Sequence, residues 1–464
     1  MTKPFQYPST VEPGVAKQTL AMLIEQAFES VSGGGQRRRA LRVEVPVEGV
    51  EPLAWLEAQG NRSRGYWCAR DRDFELAGVG TADILSAEVE CDYDELFSTL
   101  KRGISAVHPN LRYYGGMRFS QRSSAAPKWK PFGAYRFVLP RFEVFTRGAQ
   151  TYLACNAILD EASGDLPGKI LEALDAMPFP GIETPGSLPG LMERLDCPGM
   201  PEWGEAIRAA LNLFNETTLE KVVLARESVF TFEQGLDAVA LLRRLSGAAN
   251  RSYRFCFQPK PGTAFLGVSP ERLYQRQDRL LRSEAVAGTR KRGGSDEADR
   301  ALSEALLASE KDLREHRYVL DAIRAEFERR CTAVHADSDV SLIKLSECQH
   351  LCARVEGILQ DSVTDADLLR SLHPTPAVGG WPRDLAADAI AHTERFDRGW
   401  YAGPVGWVGS DSAEFAVGIR SALVHENTLS VYAGAGIVEG SLPDDEWDEI
   451  ENKIGSFTGI LGTK

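Results

Sequence analysis

Between Met177 and Glu202, six prolines (178, 180, 185, 189, 198 and 201) alternate with Gly181, Gly186, Gly190 and Gly199. Proline removes backbone donors and glycine adds backbone freedom, so the tract is expected to hold no regular structure and to form a linker or a long surface loop. It divides the chain unevenly: the half before it carries few chemical signals, and the half after it carries nearly all of them. With 464 residues, roughly three domains of about 150 residues would fit, although β-rich folds often run longer as one unit.

Hydrophobic periodicity places the elements. Val15 to Val31 reads as a helix that stops at Ser32-Gly33-Gly34-Gly35, where a flexible turn is expected because the phosphate-cradling pattern is absent. Leu41 to Glu48, Phe74 to Val79 and Tyr135 to Phe145 read as strands. Past the tract, Trp203 to Glu220 reads as a helix leading into a short strand, Lys221 to Arg226. One long helix is expected from Leu302 to Arg330. Ala413 to Arg420 and Leu429 to Ala433, joined through His425-Glu426-Asn427, predict a hairpin. A last helix begins near Pro443.

Acidic residues outnumber Lys and Arg by 66 to 53, a net charge of −13, which argues against a nucleic-acid backbone as partner. The run Arg290-Lys291-Arg292 then reads as a solvated loop rather than a polyanion site. No apolar run approaches the ~18 residues of a membrane span. Eight scattered cysteines, with no apolar segment after Met1, predict reduced thiols and a cytoplasmic location. Cys348 and Cys352, one turn apart if helical, lack the further ligands a zinc site needs and read as buried structural cysteines.

Carboxylates carry the chemistry the sequence suggests. Glu446, Glu449 and Lys453 share one face of the last helix, which suits either a solvated face with an ion pair or a site. The glycine-rich Tyr432 to Val438 beside them would let backbone N–H groups form a nest for a ligand carboxylate. Glu271 follows the apolar Ala264-Phe-Leu run, where burial would raise its pKa and make it a proton donor. Glu315, on the long helix, reads from spacing alone as an exposed helical residue.

These residues fall within a set of motifs in a fixed order: Lys221-Val-Val-Leu-Ala-Arg226, Ser269-Pro-Glu271, Ala287-Gly-Thr289, Glu310-Lys-Asp-x-x-Glu-His316, Gln349-His-Leu351, Leu372-His-Pro-Thr-Pro-Ala377, Arg398-Gly-x-Tyr-x-Gly403, Ile419-Arg420, Gly434-Ala-Gly436 and Glu446-Trp-x-Glu449-x-x-x-Lys453. Residues 221–453 thereby resemble the chorismate-utilising enzymes and, within them, the isochorismate synthases. The resemblance implies one α/β (α+β) unit over 1–464, with two large antiparallel sheets packed together and helices outside. Residues 1–200 would add strands to the same core and 203–464 would carry the catalytic motifs, so the Pro/Gly tract would be an internal loop.

The implied reaction moves a hydroxyl between ring carbons of chorismate, as water attacks and the old hydroxyl leaves. By resemblance Lys221 is the base, a role that asks for a pKa below the usual value of about 10.4. Glu271 would be the general acid. Glu315 and Glu449 would hold Mg²⁺, with Glu446 acting directly or through water, and two carboxylates plus a substrate carboxylate suit that ion. Arg420 would grip the pyruvyl carboxylate. Lys453, Gly434, Ala435, Gly436 and the turn Ala287, Gly288 and Thr289 would complete the anion pocket. Tyr401 and His350 would be contacts, His350 equally suiting a structural hydrogen-bonding role.

Sister reactions separate on single residues. Aminating relatives resemble this chain except for Gln at the position of Lys221 and, in some, a nucleophilic Lys at that of Ala287, so no glutaminase subunit is expected. Salicylate synthases share the Lys, but their segment differs from Leu372-His-Pro-Thr-Pro-Ala-Val-Gly-Gly380, which points to isochorismate as the released product. The segments 396–404 and 414–421 resemble menaquinone-type enzymes more than siderophore-type ones. Salicylate formation, a siderophore pathway and a non-catalytic chorismate binder stay open as alternatives, as does monomer or homodimer.

Overall fold

In the computed structural model the described residues are 10–31, 39–60, 62–89, 91–104, 108–120, 125–159, 166–181, 187–248, 251–345 and 348–462. They form a twelve-stranded and a ten-stranded sheet, and every pairing between named strands is antiparallel. Antiparallel strands alternate inward and outward side chains, so two such sheets bury one core between them. Trp129, Phe132, Phe265 and Trp400 interlock there edge to face. Gly399 is forced at this point: its φ is +54°, and a β-carbon would lie 2.0 Å from the Trp129 ring.

Both halves of the chain enter both sheets. Arg64–Cys68 pairs with Tyr253–Lys260 in the larger sheet, and Tyr113–Met117 pairs with Pro404–Val408 in the smaller. The Pro/Gly tract is not wholly irregular as expected. Leu191–Cys197, free of proline and glycine, forms an edge strand on Glu227–Phe232. The helix after it starts at Met200, with Pro201 in its first turn, where a missing N–H is harmless. The Gly33 to Gly35 turn lies outside the described residues.

Other expectations change for identifiable reasons. The run from Tyr135 to Phe145 divides at Pro140 into Tyr135–Leu139 in the smaller sheet and Phe142–Arg147 in the larger. The long helix breaks into Asp296–Ala308 and Glu310–Arg330, because the Ser309 hydroxyl accepts from the Asp312 N–H and caps the second piece. The hairpin pairs Ser421–His425 with Thr428–Val438, whereas Ser412–Val417 belongs to the other sheet. The Lys221 strand runs twelve residues, to Phe232, instead of stopping at Arg226. Arg290 and Lys291 end the strand Leu280–Lys291 rather than lying in a loop, and Arg290 and Arg292 are ion-paired with Asp312 and Asp299.

Candidate active site

A cleft opens where the sheets meet the Glu310–Arg330 helix and the C-terminal helix Pro443–Leu461. Its wall includes Glu271, Ala287, Gly288, Thr289, Glu315, His350, Tyr401, Arg420, Gly434, Glu449 and Lys453. Residues from eight of the quoted motifs, spread from Glu271 to Lys453, therefore converge on one space. Lys221, Glu446, Ala435 and Gly436 stand behind that wall.

Glu271 follows the strand Thr263–Ser269 and is 3 % exposed. Burial pushes its carboxyl up to about 8, and the nearby Glu284 charge adds to this. The Thr375 hydroxyl donates to Glu271 Oε1 at 3.2 Å and, with Lys221 and Lys453, moderates the rise. At neutral pH the group therefore carries its proton, which a desolvated carboxyl facing a cleft can deliver.

Lys221, fully buried at the start of its strand, donates to Glu315 Oε1 at 2.9 Å. Gly436 makes this pair possible, since a β-carbon there would sit 2.7 Å from Glu315 Oε1 and 3.1 Å from Lys221 Cε. The segment Gly434 to Gly436 is strand, in register with Ala225, Leu224 and Val223. The Val223 and Ala225 N–H groups bond the Gly379 carbonyl and Glu394 Oε1 instead, so Gly436 and Gly434 lie opposite them at positions that exchange no hydrogen bonds with that strand. Strand alternation turns the Ala435 side chain away from the face shared by Gly434 and Gly436.

Glu315 owes its aim to the helix around it. His316, one residue on, is buried with its imidazole Nε2 3.2 Å from the Ala285 carbonyl, and burial lowers its pKa, so the ring is neutral and donates there. Asp312 pairs with Arg290 at 2.7 Å. Together they clamp the helix to the strand Leu280–Lys291. That strand bulges between Ala287 and Thr289, where Gly288 takes φ +73°, and brings the turn to the cleft.

On the C-terminal helix, Lys453 Nζ bonds Glu449 Oε1 at 2.6 Å and the Gly434 carbonyl at 2.8 Å. Burial would raise the Glu449 carboxyl, yet Lys453 and then Lys311 hold it below its ordinary value. Glu446, 1 % exposed, is raised by burial and by the Glu449 charge, and it pairs with Lys311 at 3.0 Å. Glu446, Glu449 and Glu315 all act on the Lys311 ammonium, so three carboxylates share one neighbourhood. Among the described residues no three His, Cys, Asp or Glu groups form a ready-made metal cage. Hard oxygen donors on two sides of a cleft nonetheless suit Mg²⁺, which retains waters and takes one or two carboxylates.

His350 engages protein at both nitrogens. Nδ1 lies 3.1 Å from Thr289 Oγ1 and 3.2 Å from the Gly288 carbonyl, and Nε2 lies 3.3 Å from Cys348 Sγ. Tyr401 stacks on Tyr432 at 5.3 Å, and burial raises its phenol, keeping it neutral. Cys348 and Cys352 lie on the strand Cys348–Leu359, not on a helix; both are buried and unbridged. Thr375, Lys311 and Cys348 are contacts that sequence reasoning did not assign, although all three sit in or beside quoted motifs.

Two large antiparallel sheets with helices outside and a polar cleft at their edge define an α/β enzyme of the chorismate-utilising fold. The comparisons agree. Residues 25–462 match the family described as "Chorismate binding enzyme". The chain is 32% identical to the chloroplastic isochorismate synthase of Catharanthus roseus, over 98% of this chain and 86% of that one. It is 30% identical to the isochorismate synthase MenF of Escherichia coli (strain K12), over 91% and 94%. The solved structure of MenF, the menaquinone-specific isochorismate synthase from Escherichia coli, superposes with a TM-score of 0.82 at 29% identity, covering 96% of this chain and all of that one. The chain belongs to the chorismate binding enzyme family.

Proposed function

We propose that this enzyme is an isochorismate synthase that converts chorismate to isochorismate with Mg²⁺, and that it serves menaquinone formation. The observation that carries the reading is Glu271: a carboxyl held protonated to about pH 8 on the wall of a cleft that also holds Arg420 and Lys453. Its relatives by sequence carry that activity in their names, and the superposed structure is menaquinone-specific. In this reading residues 1–464 act as one unit, and no glutaminase subunit enters because water, not ammonia, is the nucleophile. Among the described residues no helix is long and apolar enough to cross a membrane.

Each residue then has one task. Lys221 takes a proton from the attacking water, and Glu271 gives its own to the departing hydroxyl. Arg420 grips one substrate carboxylate through its planar fork, and Lys453 adds a second positive charge beside it. Glu315 and Glu449 would hold Mg²⁺, with Glu446 supporting them through Lys311 or water. Bound there, the ion would neutralise a substrate carboxylate and stabilise charge built up during the rearrangement.

The test is incubation with chorismate, with and without Mg²⁺, and chromatography of the products. Isochorismate alone supports the reading. Salicylate with pyruvate, or no conversion under any metal, would replace it with the lyase or the non-catalytic alternative. Glu449→Gln is expected to raise the Mg²⁺ concentration for half-activity about tenfold, since it removes a charged ligand worth roughly 1–2 kcal/mol; titration of activity against Mg²⁺ checks this. Thr375→Val is expected to shift the alkaline limb of the kcat profile upward, because the lost hydroxyl bond favours the charged form of Glu271. A pH–rate profile with an unmoved limb would dissociate Thr375 from the acid.

A further inference from the structure

The cationic side of the cleft touches a sulfur atom. Arg420 adopts φ +48°, a backbone conformation unusual for a residue with a side chain. From there its guanidinium makes two contacts. One nitrogen donates to the Lys453 carbonyl at 3.0 Å, and the other to Cys348 Sγ at 3.4 Å. Cys348 is 6 % exposed, and the same sulfur lies 3.3 Å from His350 Nε2. His350 in turn reaches the Gly288 carbonyl and the Thr289 hydroxyl. A chain of polar contacts therefore runs from the C-terminal helix through Arg420, Cys348 and His350 to the bulge at Gly288, tying together opposite walls of the cleft.

We propose that Cys348 is a positioning residue for substrate binding: its sulfur holds the Arg420 guanidinium in the orientation that receives a carboxylate, and links that clamp to the Gly288 turn through His350. Arginine carries a long, rotamer-rich side chain, so fixing it before the ligand arrives lowers the entropy lost on binding. Burial alone would push the Cys348 thiol up, but Arg420 and then His350 outweigh it and draw it down to about 6, so the sulfur accepts as a thiolate at neutral pH. The remaining cysteines with a resolved shift are raised instead, mainly by burial. Cys348 stands apart from them by its neighbours rather than by its depth.

The proposal rests on Arg420 being the carboxylate clamp, and its test keeps the two separable. Steady-state kinetics with chorismate and Mg²⁺ are measured for wild type, Cys348→Ala, Cys348→Ser, Arg420→Ala and the double variant Cys348→Ala/Arg420→Ala. Cys348→Ala should raise KM about tenfold with kcat nearly unchanged, the scale of one hydrogen bond to a charged group. Cys348→Ser, which keeps an acceptor in a similar volume, should recover most of that loss. In the Arg420→Ala background, Cys348→Ala should change kcat/KM by less than about twofold, because the group it positions is gone. A packing defect would instead cost the same in both backgrounds, and that result overturns the proposal. So does an unmoved KM in Cys348→Ala while Arg420→Ala raises it. An unmoved KM in Arg420→Ala removes the clamp itself, and the role of Cys348 with it.

Discussion

Lys221→Ala is expected to lower the turnover of chorismate by about a thousandfold, the scale on which a positioned general base contributes, while substrate affinity stays within a few fold. The argument starts from placement. Lys221 opens the strand that ends at Phe232, is fully buried, and donates to Glu315 on the cleft wall. Its substitution therefore removes a proton acceptor and also leaves Glu315 without its partner, a charged group stranded at a partly buried site. Lys221→Arg separates these effects. Arginine keeps the charge opposite Glu315 but does not give up its proton in proteins, so it cannot serve as a base. Loss of turnover in both variants, with each still folded at the assay temperature, is the expected outcome. An arginine variant that retains a substantial fraction of activity would make Lys221 a charge partner of Glu315 rather than the base. Wild-type turnover in Lys221→Ala would remove it from the chemistry altogether.

What could be read from the sequence followed from how local each signal is. Glu271 was recognisable because a carboxylate at the end of an apolar strand has few ways to be solvated. Glu449 and Lys453 were recognisable because i,i+4 spacing on a helix fixes a shared face. Gly436 is the opposite case. A glycine-rich apolar run suits an anion nest and a close-packed strand alike, and only the fold shows that a side chain there would meet the Lys221–Glu315 pair. Cys348 and Cys352 are buried as expected, and their spacing of four left the element open, since it places residues on one face of a helix and equally on one face of a strand. The break at Ser309 hides in a continuous apolar periodicity and is revealed only by the cap it forms. Thr375 stands 104 residues from the carboxyl it bonds, and nothing local to either position records that contact. The family resemblance supplied the set of cleft residues. The physical partners of those residues needed the fold.

Glu271→Gln is expected to reduce kcat by about a thousandfold, because the amide matches the carboxyl in shape but has no proton to deliver to a leaving hydroxyl. KM should change little, as the variant preserves volume and a hydrogen-bonding group toward Thr375. Stability supplies a second and independent readout. The folded protein holds the Glu271 carboxyl at about 8 against an ordinary 4.5, and burial is the main cause. A carboxyl raised on folding binds its proton more tightly in the native state. Its contribution is therefore full below the ordinary value and is lost steadily as pH rises toward about 8. Glutamine does not titrate, so the variant avoids that loss. The unfolding temperature of Glu271→Gln relative to wild type should accordingly climb between pH 5 and pH 9, the reverse of the trend when an ion-paired surface carboxylate is removed. Activity lost together with a rising stability gap identifies a buried, protonated acid. Activity lost with a flat gap means that the group acts as a carboxylate, and the water-attack mechanism would then need a different source for the proton that leaves with the hydroxyl.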